Sequence, residues 1–171
     1  MRKWLILLCA ALSLAVVNFS IWQNEKLIEN GEVVLLELAP VDPRSLMQGD
    51  YMALHFAIAD AIHQQLNSNN QSVSARVVVQ LDNQRRASFV ALDQQQELQN
   101  GQLHLQFRLR GDEVKFATNA FFFQEGTGAI YEQAKYGLFR VGSDGNLLLT
   151  HLVDAQLQAL GQTKALQPVS Q

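Results

Sequence analysis

The chain has 171 residues, 13 basic and 16 acidic, with a formal net charge of −3. That length suits one domain with its own core, and the acidic balance argues against nucleic acid as a partner. Cys9 is the only cysteine and sits in the apolar opening, which excludes an intrachain disulfide and leaves no thiolate chemistry elsewhere.

Met1-Arg2-Lys3 leads into Trp4 to Ile21, a run without a charged residue. As a helix it would span about 27 Å, close to the hydrocarbon thickness of a bilayer. Trp4 and Trp22 bracket the run where interfacial aromatic residues are expected, and Arg2 and Lys3 place the N-terminus in the cytoplasm. Residues 1–22 are therefore expected to form an uncleaved, single-pass anchor, with the rest of the chain outside the cytoplasm. The competing reading is a cleaved signal peptide with Trp4 to Val17 as its core, but "VVNFSIW" lacks the small-residue pair that such cleavage uses. Cys9 does not read as a lipoprotein cysteine, because Leu8 stands where a small residue is expected. Beyond residue 22 the balance is 11 basic to 16 acidic, or −5, which argues against an extended anionic-lipid surface. Residues 23–31 read as a short linker, 32–160 as the domain and 161–171 as a loose tail.

Within the domain, "EVVLLELAP" (Glu32 to Pro40) reads as a largely buried strand ended by proline. "YMALHFAI" follows as a strand, then "ADAIHQQLN" (Ala59 to Asn67) as a helix and "NSNNQS" as a polar loop. "ARVVVQLD" and "RASFVAL" form a hairpin across "NQR". "LHLQFRLR" alternates cleanly: Leu103, Leu105, Phe107 and Leu109 share one face, and His104, Gln106, Arg108 and Arg110 the other. Gly111-Asp112 turns the chain into "EVKFAT", and the "RGD" at Arg110 to Asp112 reads as part of that turn. "GTGAIYEQAK" is a short helix, and "YGLFRVG" pairs with "NLLLTHLVD" across Ser143-Asp144-Gly145. Strands without regular crossover helices predict an α+β fold: an N-terminal transmembrane helix, then a mainly antiparallel sheet domain with one or two short helices.

The least ordinary stretch is "VDPRSLMQGDYMALHF", residues 41–56. Pro40 and Pro43 forbid a continuous strand, Asp42 before Pro43 favours a turn, and Gly49 eases entry into the strand. Asp50, Met52, Leu54, Phe56 and Ile58 fall on one face, and Tyr51, Ala53, His55 and Ala57 on the other. Asp50 thus opens an apolar row, where an unpaired carboxylate is costly. Arg44 is its expected partner, in a structural clasp with Asp42 and Pro43.

"GDYMALHF" (Gly49 to Phe56) resembles the motif that names the GDYXXLXY family, membrane-associated bacterial proteins of unknown function. "VDPRSLMQ" is similar to that family's approach to the motif. "FFFQEGTGAIYEQAKYGLFRV" followed by "GSDGNLLLTHL" is similar to its C-terminal half, so the resemblance covers most of residues 32–153. Gly49, Asp50, Tyr51 and Leu54 match, whereas Phe56 replaces the final tyrosine. A hydroxyl absent here is no essential acid, base or nucleophile. The resemblance implies a domain anchored in the bacterial inner membrane, outside the cytoplasm or in the periplasm, and often associated by gene context with multi-span membrane proteins. It supplies no reaction, and no cofactor is expected.

A comparison with signal peptidases puts Val41 where their nucleophilic serine would stand. Ser45 lies in the wrong register and leaves Lys115 with nothing to activate. His55, His63, His104 and His151 are scattered without metal-ligand spacing, so no metal site is expected. In "FFF", Phe122 should point away from Phe121 and Phe123, either under a helix or toward a partner. Glu125 is expected to cap the helix after Gly126. The expected role is a non-catalytic accessory domain that docks on a multi-span membrane protein through Tyr51 and Phe122. A small-ligand or envelope-component binding module, with residues 40–50 as its lip, is the alternative.

Overall fold

The computed structural model describes residues 2–39, 47–48, 51–69, 76–110, 113–118 and 120–161. Strand β1 (Glu32–Glu37) is apolar in consecutive positions because both of its faces are covered. Val34 and Leu36 enter the main core, while Leu35 is buried on the opposite face with Tyr136 and Val153. β1 pairs with β10 (Tyr136–Val141), which pairs with β11 (Leu147–Val153), as the hairpin across residues 143–145 predicts.

Strand β4 (Arg76–Leu81) lies between β5 (Ala87–Leu92) and β6 (Gln102–Gln106), and the expected "NQR" hairpin joins β4 to β5. Its turn is held by Asp82, whose Oδ1 accepts the backbone N–H groups of Gln84 (2.8 Å) and Arg86 (2.9 Å). A third sheet joins β2 (Met47–Gln48), β3 (Tyr51–Ala53) and β9 (Ala120–Phe122), and a fourth joins β7 (Arg108–Arg110) to β8 (Glu113–Lys115). Every pairing between these strands is antiparallel, and the fold is α+β.

Two expected strands are shorter than their alternation suggests. "LHLQFRLR" breaks at Phe107, which is buried outside any strand. The β4 ladder ends at the pair Arg76–Gln106, and the Gln106 N–H turns to the Gly145 carbonyl at 2.8 Å. β7 then leaves with β8, and Leu109 is exposed rather than in the core. "YMALHFAI" stops being a strand after Ala53. Phe56 makes a single bridge to Leu38, and helix α2 (Ala57–Asn69) begins directly after it. Ile58 still faces the core, but from the first turn of α2, with Ile62 one turn further on.

Helix α1 (Arg2–Asn30) is one continuous element, so the stretch expected as a linker is helical up to Asn30. Its exit to β1 needs Gly31: a Cβ there would lie 2.3 Å from the Leu27 carbonyl oxygen. The Gly31 carbonyl accepts Arg140 Nη1 at 3.0 Å, which ties the helix end to β10. Among the described residues, no helix is long and apolar enough to cross a membrane, which leaves the expected transmembrane segment without support from the fold. Helix α3 (Gly128–Tyr131) is four residues long. Glu125 does not cap it: Thr127 is the N-cap residue, and its hydroxyl donates to the Gln124 carbonyl at 2.6 Å instead. The expected loose tail lies beyond the described residues except for Gly161.

Candidate functional site

The family-motif strand β3 sits beside β9 with Tyr51 opposite Phe122, Met52 opposite Phe121 and Ala53 opposite Ala120. Period-two alternation then divides the residues. Met52, Leu54 and Phe56 are buried in the core, while Tyr51 faces outward and is half-buried. Phe122 is 74% exposed, and its ring centroid lies 5.8 Å from that of Tyr51. Phe121 and Phe123 turn the other way, onto the Tyr131 ring at 5.0 and 5.4 Å. Thr118 fixes the start of β9, donating its hydroxyl to the Ala120 carbonyl (2.8 Å) and accepting the Ala120 N–H (3.2 Å). The two residues expected at an interaction surface are therefore cross-strand neighbours on one outward face.

Phe56, where the motif carries tyrosine, is packed edge-on between Phe116 (6.0 Å) and Phe139 (5.4 Å). Gly137 makes room for these rings, because a Cβ there would lie 3.1 Å from Phe56 Cε1 and 3.0 Å from Phe139 Cε2. An apolar ring without a hydroxyl suits that position. Leu54 and Phe56 are thus core residues, whereas Tyr51 is directed outward. Gly49 and Asp50 lie outside the described residues, as do Asp42, Pro43 and Arg44 of the expected clasp, and Val41 and Ser45.

Lys115 pairs with Glu113 at 2.9 Å, and this ammonium holds the Glu113 carboxyl below its ordinary range. Among the described residues, no three histidine, cysteine or acidic side chains gather where a metal ion would be held. Sequence reasoning missed one cluster. The Asp93 side chain is only 2% exposed; its carboxylate meets Arg76 Nε at 2.9 Å and accepts the Gln95 N–H at 2.8 Å. His104 Nδ1 stands 3.7 Å from the same carboxylate, sealed from solvent and without a hydrogen bond. No local pattern signals this cluster, because its members come from β4, β6 and the end of β5.

A sequence model described as "GDYXXLXY protein" matches residues 13–152. The chain belongs to the GDYXXLXY family. No curated relative and no solved structure matches it. The GDYXXLXY match includes most of α1 and every described strand except the last residue of β11.

Proposed function

We propose that this GDYXXLXY protein is a non-catalytic accessory domain, anchored to the bacterial inner membrane by the first part of α1 and docking outside the cytoplasm on a multi-span membrane protein. The observation that carries this reading is the outward aromatic pair, Tyr51 beside the largely exposed Phe122. Aromatic side chains are enriched at interface cores, and a ring this exposed contributes little to the domain's own burial. The anchor is supported by Leu12, Leu14, Val16, Val17, Phe19 and Ile21. These side chains lie on two opposite sides of α1, in a stretch where every residue from Cys9 to Lys26 is exposed, a pattern suited to an apolar environment. An anchored domain also gains from high effective concentration, so a weak contact with a neighbouring protein suffices.

The test is a mild-detergent pull-down of wild type and of Tyr51→Ser/Phe122→Ser, read by mass spectrometry. The double variant is expected to keep its circular dichroism spectrum and lose a membrane-protein partner. A folded variant that retains every partner overturns the assignment of this surface. Phe122→Ser alone, at the more exposed position, serves as the check if the double variant unfolds.

A further inference from the structure

The last turns of α1 and the β10–β11 turn enclose a polar cleft of about 590 Å³. Trp22, Lys26 and Asn30 line one wall at positions i, i+4 and i+8, which is one face of the helix. Ser143, Asp144 and Asn146 line the other. Lys26 Nζ lies 3.9 Å from the centroid of the Trp22 ring. Among the described residues neither Lys26 nor Asp144 forms an ion pair, with the other or with anything else. The cleft therefore holds one cation and one anion on facing walls, and among the described residues neither is neutralised. Asp144 accepts the Asn146 N–H at 3.0 Å through Oδ1, a contact that uses one carboxylate oxygen and leaves its charge in place.

From these features we propose that the cleft binds a zwitterionic phospholipid headgroup, its phosphate on Lys26 and its ammonium on Asp144. The inference rests on the anchor reading above. If the apolar part of α1 ends at Ile21 in the bilayer, Lys26 lies about 7.5 Å further along the axis. The polar headgroup layer of one leaflet is roughly 5–8 Å thick, so the Lys26 backbone stands at its outer edge and the ammonium, folded back over the Trp22 ring, reaches into it. Trp22 occupies the boundary position favoured by interfacial tryptophan. The sequence balance of −5 beyond residue 22 disfavours anionic lipid and leaves a headgroup with both charges as the complementary ligand.

The test uses the full chain in maltoside micelles with Trp4→Phe, so that Trp22 is the remaining tryptophan. Short-chain phosphatidylethanolamine, short-chain phosphatidylglycerol and inorganic phosphate are titrated separately while Trp22 emission is read. Phosphatidylethanolamine should give a saturable change whose half-saturation rises about tenfold or more in Lys26→Gln. Asp144→Asn, which keeps the acceptor for Asn146, should weaken phosphatidylethanolamine and spare phosphatidylglycerol. Unchanged half-saturation in Lys26→Gln overturns the proposal. So does inorganic phosphate binding as tightly as the lipid, which would identify a free phosphate as the ligand. Flotation of the wild type with phosphatidylcholine vesicles separates the two readings. A chain that does not float refutes the anchor, whereas one that floats but keeps its half-saturation for phosphatidylethanolamine in Lys26→Gln refutes the headgroup site alone.

Discussion

Arg76 at the start of β4 places its Nε 2.9 Å from the carboxylate of Asp93, which follows β5 and is almost wholly buried. The Arg76 side chain is itself partly exposed, so solvent reaches one end of the pair and the protein encloses the other. Removing the guanidinium leaves a buried carboxylate whose hydrogen-bond donor, among the described residues, is the Gln95 N–H. Arg76→Ala should therefore cost about 1–3 kcal/mol, the scale of a buried polar group left short of a partner. Asp93→Asn, which keeps the shape and an acceptor oxygen, should cost less than Asp93→Ala. Urea midpoints at constant m-value check both, and an unchanged midpoint for Arg76→Ala counts against the pair as a stabilising contact.

A second expectation concerns pH. Burial, and secondarily the nearby Arg140 guanidinium, hold the His151 imidazole below its ordinary value of 6.5. The folded state then resists a proton that the unfolded chain accepts. The unfolded state binds more protons in that window, so stability rises with pH there. The loss should begin as pH falls below 6.5 and be complete once pH passes below the folded-state value. Chemical denaturation of wild type and His151→Gln between neutral and mildly acidic pH measures it. The variant should show the shallower fall; identical slopes would sink the assignment to His151.

The aromatic centre of the core gives a third prediction. A methyl group at Gly137 would sit 3.0 Å from Phe139 Cε2, 3.1 Å from Phe56 Cε1 and 3.2 Å from Leu149 Cδ1. Phe56 and Phe139 are sealed in the core, so neither ring has room to withdraw. Gly137→Ala should destabilise the domain by about 1–3 kcal/mol through overpacking. Phe56→Ala should do so by about 3–5 kcal/mol through loss of burial and the cavity left behind. A thermal midpoint for Gly137→Ala at or above the wild type would show that the rings can shift.

Much of the fold was legible because alternation survives even where hydrogen bonding does not. Met52, Leu54, Phe56 and Ile58 all face the core, although the strand ends at Ala53 and Ile58 belongs to a helix. The outward turn of Phe122 between Phe121 and Phe123 follows from the same period. What the pattern could not reveal is where a ladder loses its partner. The break at Phe107 depends on the Gly145 carbonyl, which approaches from a different hairpin. The burial of Asp93 depends on Arg76 and His104, neither of them adjacent in sequence. The cleft between α1 and the β10–β11 turn joins segments more than a hundred residues apart, so no local spacing marks it.

The last prediction is topological. Leu12, Leu14, Val16, Val17, Phe19 and Ile21 are exposed side chains on α1, and transferring one such side chain out of water is worth about 1.5–3 kcal/mol. The polar residues among them are already engaged: Ser13 donates to the Cys9 carbonyl at 2.9 Å and Asn18 to the Leu14 carbonyl at 2.8 Å. A helix whose backbone and short polar side chains bond internally can enter hydrocarbon without stranding those donors. The chain extracted from bacterial membranes should therefore resist alkaline carbonate and retain residues 1–22 by intact mass. A mature N-terminus between Ala15 and Asn24 would show that the segment is cleaved. In that case the cleft would lose its place at the membrane surface, while the outward pair of Tyr51 and Phe122 would remain.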